Sequence, residues 1–482
     1  MRGRAAVRRG AHNRGMDVAI ALFTSDLRLR DNPGLAGALR VARRVVPLFV
    51  VDSGIAAAGF VVPNRAAFLA DCLADLDAAL RERGGRLVIR RGDVVGETCR
   101  VAAETGAGEV HLAGGVSGYA LRREERLRAA LAADGRGLRV HDAVITAVAP
   151  GAVVPSGAAK RADGAGRSGK DHFAVFTPYF RRWSAEVPRP VAAAPRAVPL
   201  PEVRSEPLPT AESLAPGRPS PALPRGGESE GRRRFEAWRR SRLARYAELH
   251  DDLPADATSR LSPYLHFGCL SPVELVARAR RAGGAGAEAF VRQLAWRDFH
   301  HQLLAARPGA ARRDYRTRHD HWRVDAEELA AWREGRTGYP VVDAAMRQLA
   351  HEGWAHNRAR LLAASFLTKT LYLDWRAGAR HFLDLLVDGD VANNQLNWQW
   401  VAGTGSDTRP NRVLSPLAQA RRFDPAGEYV RRWVPELAGL AGAAVHQPWR
   451  LRGEERARYA YPDPIVDLPD ALARFRRARG VG

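Results

Sequence analysis

The stretch Asp388–Trp400 reads DGDVANNQLNWQW. It sets two carboxylates one residue apart, follows them with paired amides, and closes on two indoles one residue apart. Taken alone, it is a helix end with an amide turn and packed aromatics. Its surroundings change that reading. Seven of the eleven tryptophans (Trp296, Trp322, Trp332, Trp354, Trp375, Trp398 and Trp400) fall between residues 296 and 400. Indoles oxidise readily and stack on flat rings, so the cluster suits a large aromatic ligand or one-electron transfer. From about Arg232 onward apolar residues recur at helical spacing, with breaks at Ser262-Pro263, Ser271-Pro272 and Tyr339-Pro340. The second half is therefore expected to be mostly α.

The first half has a different rhythm. Short apolar, β-rich runs at Val18–Phe23, Val45–Val51, Leu87–Ile89, Val110–Leu112 and Leu138–Val140 alternate with helical patterns such as 64–83. This predicts a doubly wound parallel sheet over residues 17–150. The first turn, TSDLRLRDNPGL, lacks the G-x-G-x-x-G that cradles a pyrophosphate, so the domain is Rossmann-like without the dinucleotide fingerprint. Residues 151–230 read as a Gly/Ala/Ser loop followed by a proline-rich interdomain linker. Within that loop, 164–170 imitates a phosphate-binding P-loop. Asp171 stands where the magnesium-binding hydroxyl should be, which argues against a nucleotide triphosphate site. Residues 231–482 form the helical domain.

The 482 residues carry a formal charge of +22, with 46% hydrophobic and 27% charged side chains. The side-chain shares are ordinary for a globular chain, and the charge favours a polyanionic partner. Almost all the basic excess is arginine, because only Lys160, Lys170 and Lys369 are lysine. No apolar run is long enough for a membrane helix. Residues 1–16 form a basic extension without the apolar region of a secretory signal, and Met16 opens the first strand pattern. Three separated cysteines, Cys72, Cys99 and Cys269, give neither a disulfide framework nor metal-ligand spacing, which fits a cytoplasmic protein. His300-His301 and His319-x-His321 lack a third ligand and are read as solvated or partner-facing rather than metal-binding.

Several motifs then occur in order: FTSDLRLRDNP (23–33), VFTPYFRRW (175–183), TSRLSPYLHFGCLSP (258–272), QLAWRDF (293–299), EGRTGYPVVDAAMRQL (334–349), WAHNRARL (354–361), DW (374–375), DGDVANN (388–394) and NWQW (397–400). Together they resemble the photolyase/cryptochrome family of flavoproteins over nearly the whole chain. The resemblance implies an α/β N-terminal domain joined to an all-α C-terminal domain that binds FAD. It also implies light-driven electron transfer from the reduced cofactor to a pyrimidine dimer in UV-damaged DNA, whose bases leave the stack.

Carried over residue by residue, the resemblance assigns FAD contacts to Tyr246, Thr258, Ser259, Arg260, Leu261, Ser262, Arg297, Asn357, Arg360, Asp388, Gly389, Asp390 and Asn394. Asn394 matches the residue facing the flavin N5, where an amide can hydrogen-bond either protonation state. Trp398, Trp375 and Trp322 match an electron-relay triad, proximal to distal. Trp296 and Trp400 match aromatics that stack on the lesion. Gln293, Arg297, Asn357, Arg358, Arg412 and Gln419 match polar contacts to the lesion or to DNA.

Two departures bear on the substrate. Gln293 stands where the best-known bacterial enzymes for cyclobutane dimers have Glu, and Leu361 replaces a frequent methionine. Enzymes for (6-4) photoproducts share the Gln, but they carry a histidine pair where this chain has Asn357 and Leu361. The cyclobutane dimer is therefore the expected substrate, with a (6-4) product and cryptochrome-type signalling as alternatives. The segment GGVSGYALRREERLR (114–128) lacks a clear folate-binding match, leaving a folate antenna, a deazaflavin antenna or none. Three cysteines cannot supply the four thiolates of an iron–sulfur cluster. A monomer is expected.

Overall fold

The computed structural model describes residues 15–155, 159–160, 167–168 and 171–481. Most of the P-loop-like segment and almost all of the basic extension lie outside them. Strands β1 (Met16–Phe23), β2 (Ala42–Asp52), β3 (Val88–Gly92), β4 (Glu109–Ala113) and β5 (Gly137–His141) form one parallel sheet in the order β3-β2-β1-β4-β5. The intervening helices α1 (Pro33–Val41), α2 (Pro63–Arg81), α3 (Val94–Thr105) and α4 (Gly118–Ala133) cover its faces. β1 is fully buried from Val18 to Phe23, as a central parallel strand covered on both faces requires. Strand order reverses between β1 and β4, the place where such sheets leave a crevice beyond their carboxyl ends.

After α5 (Phe176–Ala185), an extended stretch runs back along the sheet: Val45 N donates to Pro199 O, Val198 N to Arg83 O and Glu206 N to Ile89 O. The helical half includes α6 (Glu228–Ser241), α7 (Pro272–Ala282), α8 (Gly284–Ala306), α9 (Ala326–Glu334), α10 (Pro340–Glu352), α11 (Asn357–Ser365), α12 (Trp375–Leu385), α13 (Val391–Ala402), α14 (Pro416–Phe423) and α15 (Leu468–Arg479). Proline opens α7 and α10 in the first turn, where its missing N–H costs nothing.

The segment 23–33, which sequence reading placed at a nucleotide-type turn, clamps the two halves together. Buried Arg28 donates to the carbonyls of Asp31, Val144 and, across the interface, Gly268. Leu29 N donates to Glu228 at 2.7 Å. Gly268 has φ +68°, and a Cβ there would lie 1.9 Å from Ser25 O. Only glycine allows that approach. Cys72 and Cys269 also meet across this seam as free thiols, Sγ to Sγ 3.3 Å.

Candidate functional site

A cavity of about 440 Å³ opens in the helical half. One face of α8 supplies Gln293, Trp296, Arg297 and His300, at the spacing that puts helical residues on one side. The amino end of α11 adds Asn357, Arg358, Arg360 and Leu361, and α13 adds Asn394, Trp398 and Trp400. Tyr246 and Thr258–Ser262 close another side, and Asp388 and Asp390 stand at the turn before α13. Residues far apart in sequence thus meet at one site.

The hydroxyl segment is not a helix cap. Leu261 holds the N-cap position of the short helix Ser262–His266 and makes no side-chain capping bond. Thr258 Oγ1 is buried without a protein partner, while Ser262 Oγ accepts from Trp354 Nε1 at 3.1 Å. Arg260 is held by Asp256 at 2.7 Å and Glu352 at 3.0 Å and lies 4.3 Å over the Trp354 ring, so its charge is satisfied within the protein.

The two carboxylates of the 388–390 turn are fixed by different partners. Asp388 Oδ2 accepts from Arg360 at 2.8 Å, and its Oδ1 is buried without a partner. Asp390 lies 3.2 Å from His301 Nε2 and 3.9 Å from Arg297. Burial opposes its charge, but His301, Arg297 and His266 outweigh that and hold the carboxyl well below the usual range. Gly389 is a correction: it does not line the cavity. Its Cβ position would meet Arg65 of α2 at 2.6 Å, so the glycine admits that arginine.

The histidine pair is a second correction. His300 and His301 are each 2% exposed, not solvated. His300 Nδ1 is 3.1 Å from Asn393 Oδ1, and His301 faces Asp390. Among the described residues no group of three or more ligands could hold a metal. His319 and His321 are exposed.

Asn394 directs its Nδ2 to Ala379 O and Gln395 Oε1, both at 3.0 Å, and no protein donor among the described residues reaches its Oδ1. Trp398 packs on α12, where a Cβ at Gly378 would touch its ring at 2.3 Å. Trp375 opens that helix, is fully buried, and donates to Asp314 at 2.9 Å. Trp322 is half-buried with its ring 5.0 Å from Tyr372. Among the described residues no two of these three rings stack; Trp398 lines the cavity, Trp375 is buried and Trp322 is half-buried. Trp398 also meets buried Trp332 edge-on at 5.9 Å.

Trp296 and Trp400 both line the cavity, but one face of Trp296 is already covered by Phe176 at 3.7 Å and 5°. Arg412 lies outside the lining, 5.1 Å over the Trp400 ring. Gln419 also lies outside it, with a buried, unpaired Oε1. Sequence reading missed His266, Asn393, Asn397 and Trp354 as lining residues. Asn393 and Asn397 were findable, one helical turn apart beside Asn394.

A second cavity, about 740 Å³, lies where β1 and β4 end. Thr24, Ser25 and residues 113–120 face Arg122, Arg123, Arg312, Arg313, Arg376 and Arg380 there. His266, Arg297 and Asp390 line both cavities.

Residues 19–201 match the family model for DNA photolyase, and residues 290–479 match that for the FAD binding domain of DNA photolyase. The chain is 65% identical to a deoxyribodipyrimidine photo-lyase of Streptomyces griseus, over 97% of this chain and 100% of the relative. The chain belongs to the DNA photolyase family. FAD is the family's cofactor in the domain matched here. A bacterial class III photolyase from Agrobacterium tumefaciens is similar with TM-score 0.87 and 32% identity, covering 96% of this chain and 97% of that one. A cryptochrome from Synechocystis sp. PCC6803 reaches the same TM-score at 28% identity, covering 96% and 99%. Family membership and fold therefore do not by themselves separate repair from signalling; the site must.

Proposed function

We propose that this protein is a light-driven deoxyribodipyrimidine photo-lyase that splits cyclobutane pyrimidine dimers in UV-damaged DNA. One observation carries the reading: most of the cofactor-type residues line the same cavity as Gln293, Trp296, Asn357, Arg358 and Trp400 of the lesion type, so cofactor and extruded bases would share one space.

The residues fit FAD. Thr258 Oγ1 and Asp388 Oδ1 are buried polar atoms awaiting partners, and Asn394 offers a free Oδ1 beside Trp398. When bound, reduced and excited by light, FAD supplies the electron. Thr258, Ser259 and Ser262 would hold its pyrophosphate side. Arg360 and Asp388 act as one oriented pair, and Asp390 stays ionised beside Arg297 and His301. Trp398, Trp375 and Trp322 would carry an oxidising equivalent outward from the bound cofactor. Trp296 offers its one free face, and Trp400 the other wall, to the flipped bases. Gln293 and Asn357 donate N–H groups to base carbonyls, while Arg358, Arg412 and Gln419 meet the DNA.

The (6-4) reading finds no imidazolium among the buried histidines at the cavity. Burial pushes His266 and His300, which line the cavity, down to about 4. His356 faces its own backbone, accepting from Arg358 N, and is likewise lowered to about 4 by burial. The arginine-lined second cavity, at the sheet's switch point, suits an anionic aromatic antenna of deazaflavin type. Domain limits at 17–150, 151–230 and 231–482, a monomeric state and a cytoplasmic location complete the proposal. Among the described residues no helix is long and apolar enough to cross a membrane.

The test uses two oligonucleotides, one with a cyclobutane thymine dimer and one with a (6-4) product, given to reduced, illuminated protein beside a dark control. Light-dependent loss of the cyclobutane lesion alone is expected. Repair of neither, with photoreducible flavin present, would transfer the assignment to signalling.

A further inference from the structure

Lys369 is the one lysine whose side chain falls among the described residues. It sits in a π-helical turn, Phe366–Thr370, that continues α11 beyond its carboxyl end. π-Turns inside helices recur at functional positions. The residue is 1% exposed, and its Nζ donates to Pro410 O at 2.8 Å and Arg412 O at 2.6 Å. Carbonyls, not a carboxylate, are its partners. An apolar side chain would fill this site at lower desolvation cost, so the reason for an ammonium lies in what it holds.

It holds the loop 403–415 between α13 and α14. Gly403, at φ +83°, lets the loop close on itself: a Cβ there would stand 2.3 Å from Pro410 O. That carbonyl is thus pressed between Gly403 and the ammonium. A second tie runs from Leu414 N to Ser365 Oγ at 3.1 Å. On the outer side of the loop, Arg409 and Arg412 are exposed, and the Arg412 guanidinium covers the Trp400 ring. α11 therefore serves the site at both ends, with Asn357–Leu361 in the cavity and its continuation under the loop.

We propose that Lys369 is a positioning residue for damaged DNA: by pinning the Pro410 and Arg412 carbonyls it keeps Arg412 and Trp400 preformed at the cavity mouth. The inference rests on the repair reading above. A preset loop spares the complex the ordering cost of fixing it on binding. The charged groups facing Lys369 are Asp407 and Arg412 from the loop, Arg479 from α15, and Asp320 from the segment before Trp322. Burial first, then Arg479, lowers the ammonium to about 7. Charge-assisted bonds to the two carbonyls weaken once that proton leaves, so the pin loosens as pH rises through neutrality.

The experiment compares full-length, FAD-containing wild type, Lys369→Met and Lys369→Arg. Affinity for a cyclobutane-dimer oligonucleotide, repair rate at saturating DNA, and amide exchange of 404–415 are read at about pH 6 and pH 8.5. Wild type is expected to bind about tenfold more weakly at the higher pH, and Lys369→Met to show that weaker binding at both, with faster loop exchange and an unchanged saturating rate. Lys369→Arg, which cannot lose its charge, keeps the tighter binding at both. Wild-type affinity and exchange in Lys369→Met, at both pH values, would overturn the proposal. Lesion binding absent from wild type would instead overturn the repair reading, so the two failures are separable.

Discussion

Arg360 and Asp388 form an ion pair of 2.8 Å on the cavity wall, and the second oxygen of Asp388 is buried with no protein partner. A carboxylate this enclosed, half-satisfied by one arginine, is set up to accept a hydrogen bond from a bound molecule. Asp388→Ala would leave the Arg360 charge unpaired as well as remove the acceptor. Truncating one member of such a pair costs about 2 kcal/mol or more. The expected result is a purified variant largely without flavin absorbance and with a lower melting temperature.

Trp398 is the proposed relay indole that lines the cavity, and Trp332 is its buried edge-on neighbour. Trp398→Phe is expected to abolish photoreduction of the oxidised flavin while chemically reduced protein still repairs. Trp332→Phe should leave photoreduction intact, since Trp332 is none of the three proposed relay positions. Flash absorption of the two variants distinguishes them; normal photoreduction in Trp398→Phe would remove the relay assignment.

Phe176 and Trp296 stack face to face at 3.7 Å, which fixes the plane Trp296 presents to the cavity. Trp296→Ala removes a stacking surface worth about 1–3 kcal/mol per base and should weaken lesion binding by one to two orders of magnitude. Phe176→Ala, touching no substrate, should produce a smaller loss of the same kind. Binding titrations with lesion-bearing and undamaged oligonucleotides measure both; unchanged lesion affinity in Trp296→Ala would remove it from the stacking wall.

His111, His300 and His356 are each 2% exposed and pushed by burial to about 4. The unfolded chain protonates them near the ordinary value of 6.5, so between 6.5 and about 4 it binds protons that the folded state refuses. Stability therefore rises with pH across that window and falls on acidification. Each contributes a slope of up to about 1.4 kcal/mol per pH unit. Denaturant unfolding followed from neutral pH to about 4.5 should show this, and His111→Gln, distant from the cavity, should reduce the slope by one proton.

Much of the fold was legible because its signals are local. Five apolar β-rich runs became the five strands, and prolines after Ser271 and Tyr339 became first turns of α7 and α10. The site was legible through ordered motifs, and most of the named residues line one cavity. What sequence could not supply was pairing at a distance. Gly389 sits in the motif but serves Arg65 of the other half. His300 and His301 read as a polar pair because burial is not visible in a dipeptide. Cys72 and Cys269 are far apart in the chain yet meet at 3.3 Å.

The backbone contact of Gly268 with Ser25 has a consequence for light. Ser25 lines the second cavity, while Leu265 and His266, just before Gly268, line the first. Two pigments seated in these cavities would have their separation and relative tilt set by packed main chain rather than by a hinge. Excitation transfer depends steeply on both, so with a pigment in the second cavity a single methyl group added at residue 268 would detune transfer without touching either chromophore.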